Sequence, residues 1–401
     1  MSDVEFICHT KQLSALCSHS AGRILPIPTR LGQICSGLIK KRGLMGFLSA
    51  LIGTNAVPDP GYLVDRNLMR RQIRLPQLYS ITPIRNTYRF FLLLRARLQA
   101  ALVSAHFEDH PQARALVFNG YLMPDSITKA VSETLGRETL VLENGFFPRT
   151  SQADTVGINF DSTLPRDRAF YEWVADKISD ERPLELVRRP SKQKAADQVE
   201  TPPRYIFVPM QVPSDMQILK HSPWISDMKH LYQVIHGLAE RFPEREFVVK
   251  EHPSFPLSIQ PQISRHPRIS FANHNETRQL IEGAEAVLTV NSTVGLESLL
   301  LGKKVITLGN APYNVEGMVL QARNEQELHS ALAAIDSWTP NTTVTNAFIR
   351  YVHNVFLLRG DVRKGDAEIL DALGSRASGT DEHARLTEAY GRGVARTAPA
   401  D

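Results

Sequence analysis

The chain is poor in cysteine, with only Cys8, Cys17 and Cys35 among 401 residues. None of the three stands at metal-site spacing, and three thiols make no disulfide framework in a chain of this length. The first residues, Met-Ser-Asp-Val-Glu, lack the basic start and apolar stretch of a secretory signal, and no uninterrupted run of ~20 apolar residues is present to span a bilayer. These absences point to a reducing cytoplasm. Neither charge sign dominates. A net charge of +4 and a pI of about 8.9 admit an anionic ligand or an acidic lipid surface and do not demand nucleic acid.

What is present is an ordinary globular composition, 42% hydrophobic and 22% charged, in a chain long enough for two domains at ~100–200 residues each. From Pro202 to about Ala334, strands at Tyr205–Pro209, Glu246–Glu251, Ile269–Ala272, Ala286–Val290 and Lys304–Leu308 alternate with amphipathic helices near Asp227–Arg241 and Glu276–Gly283 and a helix ending at Leu301. That alternation argues for an α/β fold with a doubly wound parallel sheet. Upstream, Ala115–Asn119, a helix over Asp125–Leu135 and Thr139–Leu142 repeat the βαβ logic. The expected organisation is an N-terminal domain over 1–187, a Pro- and Lys-rich linker over 188–203, a C-terminal domain over 204–343, a helical segment over 344–375 packing back across the junction, and a frayed polar tail over 376–401. The order of strands within residues 1–100 is not readable.

Residues 286–302 carry the most chemistry. An apolar strand runs into Asn291-Ser292-Thr293, which opens a helix ending at Gly302. Free backbone N–H groups and the helix dipole at such a start favour a phosphate. Thr293 and Glu297 lie four apart on one helical face, placing a hydroxyl for phosphate and a carboxylate for a ribose diol beside one ligand. A nucleotide fits these groups. The same residues also suit a plain βα unit with Ser292 as N-cap and Gly302 as the stop. A second strand end, Lys250-Glu251-His252-Pro253, holds a histidine out of helical conformation through the following proline. In an open parallel sheet His252 and Ser292 face the same crevice.

Two apolar patches stand in the first hundred residues: Leu38–Ile52, which contains Lys40-Lys41-Arg42, and Phe90–Leu94 between Arg89 and Arg95. Such stripes suit core-facing helices with solvated basic flanks; they also suit an anionic membrane surface.

Three segments together resemble the capsule-polysaccharide synthesis family, the bacterial β-Kdo glycosyltransferases that use CMP-Kdo. They are Glu143-Asn-Gly-Phe-Phe-Pro-Arg-Thr150 with Asp154 to Asp167; Val208-Pro-Met-Gln211-Val-Pro-Ser-Asp215; and Lys250-Glu-His252-Pro253 with Asn291-Ser-Thr-Val-Gly295-Leu-Glu297. The resemblance implies a GT-B-like enzyme with two Rossmann-like domains facing a central cleft. It implies His252 with Ser292 or Thr293 on the CMP phosphate, Glu297 on the ribose, and Gln211, Asp215, Asn291 and Lys250 lining the cleft. For a retaining reaction it implies Asp154 as nucleophile and Glu143 as acid/base or acceptor-side carboxylate. A strand-end turn at Glu143-Asn144-Gly145 and a surface loop at Asp154 are the plainer alternative. It also implies a lipid-linked acceptor of phosphatidylglycerol type or its Kdo-bearing form, no metal or other cofactor, and a cytoplasmic protein held peripherally on the anionic inner face of the cytoplasmic membrane, in contact with capsule assembly proteins. Where family members often carry Glu-Asp-Gly, this chain has Glu143-Asn144-Gly145, so the middle acid is lost. The rival expectations are a GT-B-like epimerase or transferase using a UDP-sugar, and a catalytically silent capsule export or assembly protein.

Overall fold

Central apolar strands such as Ile206-Phe-Val-Pro209, buried at every position, set the fold; such runs belong inside parallel sheets covered on both faces. The computed structural model describes residues 4–9, 11–53, 55–178, 198–255 and 257–397. Its strands are β1 (Phe6–Cys8), β2 (Ile24–Pro26), β3 (Arg114–Phe118), β4 (Thr139–Asn144), β5 (Thr150–Asp154), β6 (Ile206–Pro209), β7 (Phe247–Lys250), β8 (Ile269–Phe271), β9 (Ala286–Thr289), β10 (Lys304–Thr307), β11 (Leu320–Gln321) and β12 (Leu358–Arg359). They fall into two compact units, residues 1–163 with 355–401, and residues 164–354. Each unit holds one six-stranded sheet. This is the two-fold Rossmann-like, GT-B-like α/β organisation expected from the sequence.

In the second unit all pairings are parallel, in the order β8-β7-β6-β9-β10-β11. Counted from β6, that is the doubly wound order 3-2-1-4-5-6, whose direction reverses between β6 and β9. The helix Met228–Arg241 is capped by Asp227, whose carboxylate accepts from the His230 N–H at 2.8 Å, and it buries Leu231, Ile235 and Leu238 against the sheet.

The first unit orders its strands β12-β5-β4-β3-β1-β2, parallel from β4 to β2 and antiparallel at β5 and β12. One face packs Ile7 and Ala115 beneath the helices Leu31–Ile52, Gly61–Arg74 and Thr82–Asp109. The opposite face packs Phe6, Leu116 and Leu142 beneath Ile369, Leu373 and Ala377.

Several boundaries therefore shift. The first unit ends at 163 rather than 187, and the chain re-enters it at 355 through the π-helical turn Val352–Phe356. Helix Thr342–Tyr351 belongs to the second unit, where Tyr351 and Phe348 meet Phe170 and Tyr171. Residues 188–197 of the expected linker lie outside the described residues. The expected tail carries helix Glu382–Thr397, and the preceding helix Ala367–Ala377 covers a sheet face. Ile369, Leu373 and Ala377, each four residues from the last, make a buried stripe that composition alone concealed. Helix Thr82–Asp109 is long and apolar enough to cross a membrane by length and composition, with half of that stretch buried in the protein. Arg85, Arg89, Arg95 and Arg97 interrupt it, so it is not the unbroken apolar run that the sequence lacks.

Candidate functional site at the strand tips

The second unit brings His252, Gln211 and Asn291 to the carboxyl ends of three neighbouring strands, β7, β6 and β9. Ligands of open α/β sheets sit at such an edge, beside the reversal point. Gln211 Nε2 donates to Asn291 Oδ1 at 2.8 Å and the Asn291 N–H donates to Gln211 Oε1 at 3.1 Å. The Asn291 amide also donates to the carbonyls of Gln217 and His221. Both residues therefore fix the geometry of the strand tips.

Helix Thr293–Leu300 opens beside this clasp, with Ser292 as N-cap accepting from the Val294 N–H at 3.2 Å. Thr293 and Glu297 are both half-buried on one face of it. The Tyr313 hydroxyl, in a fully buried ring, donates to the Ser292 carbonyl at 2.5 Å. A Cβ at Gly295 would stand 2.2 Å from that hydroxyl, so glycine is what lets Tyr313 brace the helix start. Tyr313 escaped the sequence reading because a lone tyrosine outside any motif gives no signal.

His252 is half-buried, and its Nδ1 accepts from the Ser254 N–H at 3.2 Å, which assigns the neutral ring's proton to Nε2. The loop after it is held by Glu251. That carboxylate accepts from Ser258, the Ile259 N–H, Gln260 and Asn273. Burial opposes the charge of Glu251, but these hydrogen bonds outweigh it and hold the carboxyl below its usual range.

Two expected lining residues do other work. Lys250 donates to the Asn275 carbonyl, and burial lowers its ammonium pKa. Asp215 is exposed and caps the short helix Met216–His221, accepting from the Gln217 N–H at 3.0 Å.

In the first unit, Glu143 stands at the tip of β4, half-buried. Its Oε2 accepts from Asn119 at the neighbouring β3 tip at 2.8 Å, while Oε1 accepts from the Asn144 backbone and side chain. Asn119 adopts φ 68°, a left-handed conformation asparagine tolerates, and this turns its amide toward Glu143. A 370 Å³ cavity lies beyond the end of the edge strand β2, lined in part by Lys11, Pro28, Thr29 and Arg30.

Asp154 does not fit the nucleophilic role. Only 1% exposed, it accepts through Oδ1 from the N–H groups of Val156 and Gly157 and through Oδ2 from the N–H and hydroxyl of Thr163. His383 Nε2 joins the Thr163 hydroxyl at 2.8 Å. Nucleophilic attack needs a carboxylate open to substrate; this one organises a buried turn, and the surface-loop alternative is equally excluded.

A family model described as capsule polysaccharide biosynthesis protein matches residues 177–362, a span that holds the whole strand-tip seat and excludes Glu143 and Asp154. Protein FixF of Sinorhizobium fredii is 40% identical over 308 residues, three quarters of each chain. The chain belongs to the capsule polysaccharide synthesis family. Within that family, the capsule polysaccharide export protein KpsS of Escherichia coli is 28% identical over 133 residues, 31% of this chain and 34% of that protein. Among solved structures, the beta Kdo 2,4 transferase of Thermosulfurimonas dismutans KpsC aligns with 65% of this family member and 86% of that chain, at 18% identity and a TM-score of 0.42.

Proposed function

We propose that this protein is a glycosyltransferase that moves a β-Kdo residue from CMP-Kdo to a lipid-linked acceptor in capsule biosynthesis. The observation that carries the reading is the seat at the β6/β9 reversal, where a histidine, a capped helix start and a carboxylate one helical turn along share one sheet edge. His252 Nε2–H and the N–H groups behind Ser292 and Thr293 would bind the CMP phosphate and stabilise charge on it as the glycosidic bond breaks. Glu297 would accept from the ribose hydroxyls. Neither step calls on a metal.

Glu143 supplies the carboxylate of the first unit. In this reading it receives the acceptor's proton, with Asn119 and Asn144 fixing its direction. Without Asp154 as nucleophile, the stereochemical course is left to measurement of the product's anomeric configuration.

The test is transfer from CMP-Kdo, generated in situ, to a fluorescent phosphatidylglycerol-type lipid and to the same lipid already bearing one Kdo, read by mass. A gain of one Kdo on either establishes the activity and the linker step. CMP binding without transfer points to another sugar or acceptor; tighter binding of UDP than CMP favours the UDP-sugar enzyme. Neither binding nor transfer favours a silent assembly protein.

A further inference from the structure

The helices between β2 and β3 carry a surface unlike the rest of the molecule. Among the described residues, fourteen of the eighteen large hydrophobic side chains that stand exposed lie between Leu31 and Phe91. Residues 30–109 also hold twelve Lys and Arg against four Asp and Glu, a net charge of +8, leaving the other 321 residues at −4.

The helix Leu31–Ile52 shows how this surface is built. Gly43, at φ 68°, breaks it into two segments. Beyond the break, Phe47, Ala50 and Leu51 pack on the core. Leu44, Leu48 and Ile52, at four-residue intervals, form with Met45 a second apolar face that is exposed, Met45 at 77% and Ile52 at 81%. A surface helix of a globular protein normally turns a polar face outward. Here the outward face is apolar and is preceded by Lys40-Lys41-Arg42.

The neighbouring long helix runs antiparallel. Arg97 donates to the Leu51 carbonyl at 3.0 Å, while Lys41 and Arg42 pair with Asp109 and Glu108. That register puts Phe90 and Phe91, at 56% and 62% exposure, in the same helical layer, about 9–10 Å along the axis from Arg97. Met69, Leu75, Leu78, Ile81 and Ile84 extend the exposed apolar set among Arg66, Arg70, Arg71, Arg74 and Arg85.

We infer that this helical layer is a docking surface for an anionic lipid bilayer. Its long apolar side chains enter the headgroup–acyl boundary and its basic side chains meet the anionic headgroups. A second copy of this chain is the poorer occupant, because it would set +8 against +8. The inference extends the reading of a lipid-linked acceptor and rests on that reading for its purpose: docking holds the first unit where such an acceptor resides.

The full chain is floated with vesicles of phosphatidylcholine alone and of phosphatidylcholine with about 30 mol% phosphatidylglycerol. The wild type is expected to float with the anionic vesicles, with binding at least about tenfold weaker on neutral vesicles or in high salt. The double variant Met45→Glu/Phe91→Glu should lose about tenfold in binding while keeping its far-UV spectrum and thermal midpoint. Should it misfold, Lys40→Gln/Arg71→Gln changes two exposed charges only and should weaken anionic binding severalfold. Wild-type protein that stays soluble with both vesicles overturns the proposal. So do folded variants that float like wild type, or a dimer in light scattering that Met45→Glu/Phe91→Glu dissolves. Transfer to a detergent-dispersed acceptor, run alongside, separates the two readings: transfer without flotation sinks the docking surface alone, and flotation without transfer sinks the transferase alone.

Discussion

Gln211 and Asn291, eighty residues apart, exchange two hydrogen bonds across the point where the second sheet reverses its strand order. Gln211→Ala strips the buried Asn291 of two partners at once. Leaving such groups unmet costs about 1–3 kcal/mol, to be read as a lower denaturation midpoint. CMP affinity should fall with it because the two strand tips lose their tie. A stability change with unaltered nucleotide affinity would place the ligand elsewhere.

His252→Ala should lower CMP affinity by about tenfold, roughly 1.4 kcal/mol, with little change in thermal midpoint. Glu251→Gln weakens the hydrogen bonds that shape the loop after His252, so it should raise the dissociation constant by less and lower the midpoint slightly. Calorimetric titration distinguishes the two. Equal CMP binding by wild type and His252→Ala removes the phosphate seat from consideration.

Glu297 is assigned to the ribose, so wild-type protein should prefer CMP to its 2′-deoxy analogue. Glu297→Gln should bind both almost alike, since the charged acceptor contributes most to a hydroxyl contact. A preference that survives the substitution transfers ribose recognition to another residue.

Gly295→Ala forces a methyl group toward the Tyr313 hydroxyl, 2.2 Å away. Overpacking of this kind costs about 1–3 kcal/mol. Adding Tyr313→Phe should recover part of that loss by removing the nearest atom. A Gly295→Ala protein with wild-type thermal midpoint would show that Tyr313 does not brace the helix start.

Asp154→Asn leaves a single acceptor oxygen that cannot serve both the Val156/Gly157 N–H pair and the Thr163 pair, and sets an NH2 donor against the other pair, so it should destabilise the first unit by about 1–3 kcal/mol rather than abolish chemistry selectively. Transfer per folded molecule should persist. Its complete loss in a stably folded variant would restore a direct catalytic role.

Acid should open the first unit. His9, His106 and His383 are each pushed from 6.5 down to about 4, chiefly by burial. Between those values the unfolded chain binds more protons than the native one, so stability present above pH 6.5 is lost as pH falls toward 4. For the almost fully buried His9 and His383 the loss reaches up to about 3 kcal/mol each. Hydrogen exchange should show the first unit losing protection on acidification, and His383→Gln should flatten the slope. Tryptophan fluorescence, excited selectively, reports on the second unit, which holds Trp173, Trp224 and Trp338. An exchange profile of the first unit that stays flat from pH 7 to 4.5 would refute the linkage.

Five of the six strands of the second sheet are legible in the chain alone, because βα alternation writes burial into local periodicity: Ala286–Val290 reads as a strand and is one over Ala286–Thr289, whereas the two-residue β11, Leu320–Gln321, is too short to carry a period. The chain alone also determined that Ser292 starts a helix, since an N-cap is a local hydrogen bond. The folded protein settles which of the candidate polar groups are drawn into its own long-range hydrogen bonds. The helix cap that takes Asp215 is as local as the one at Ser292, but Asp154 and Lys250 stood in promising motifs and are spent on partners nine and twenty-five residues away. The same holds for the C-terminal segment, whose Ile369–Leu373–Ala377 stripe acquires meaning only against the sheet face it covers. Periodicity is a property of neighbouring residues along the chain, whereas a side chain's freedom to act depends on what the fold brings against it.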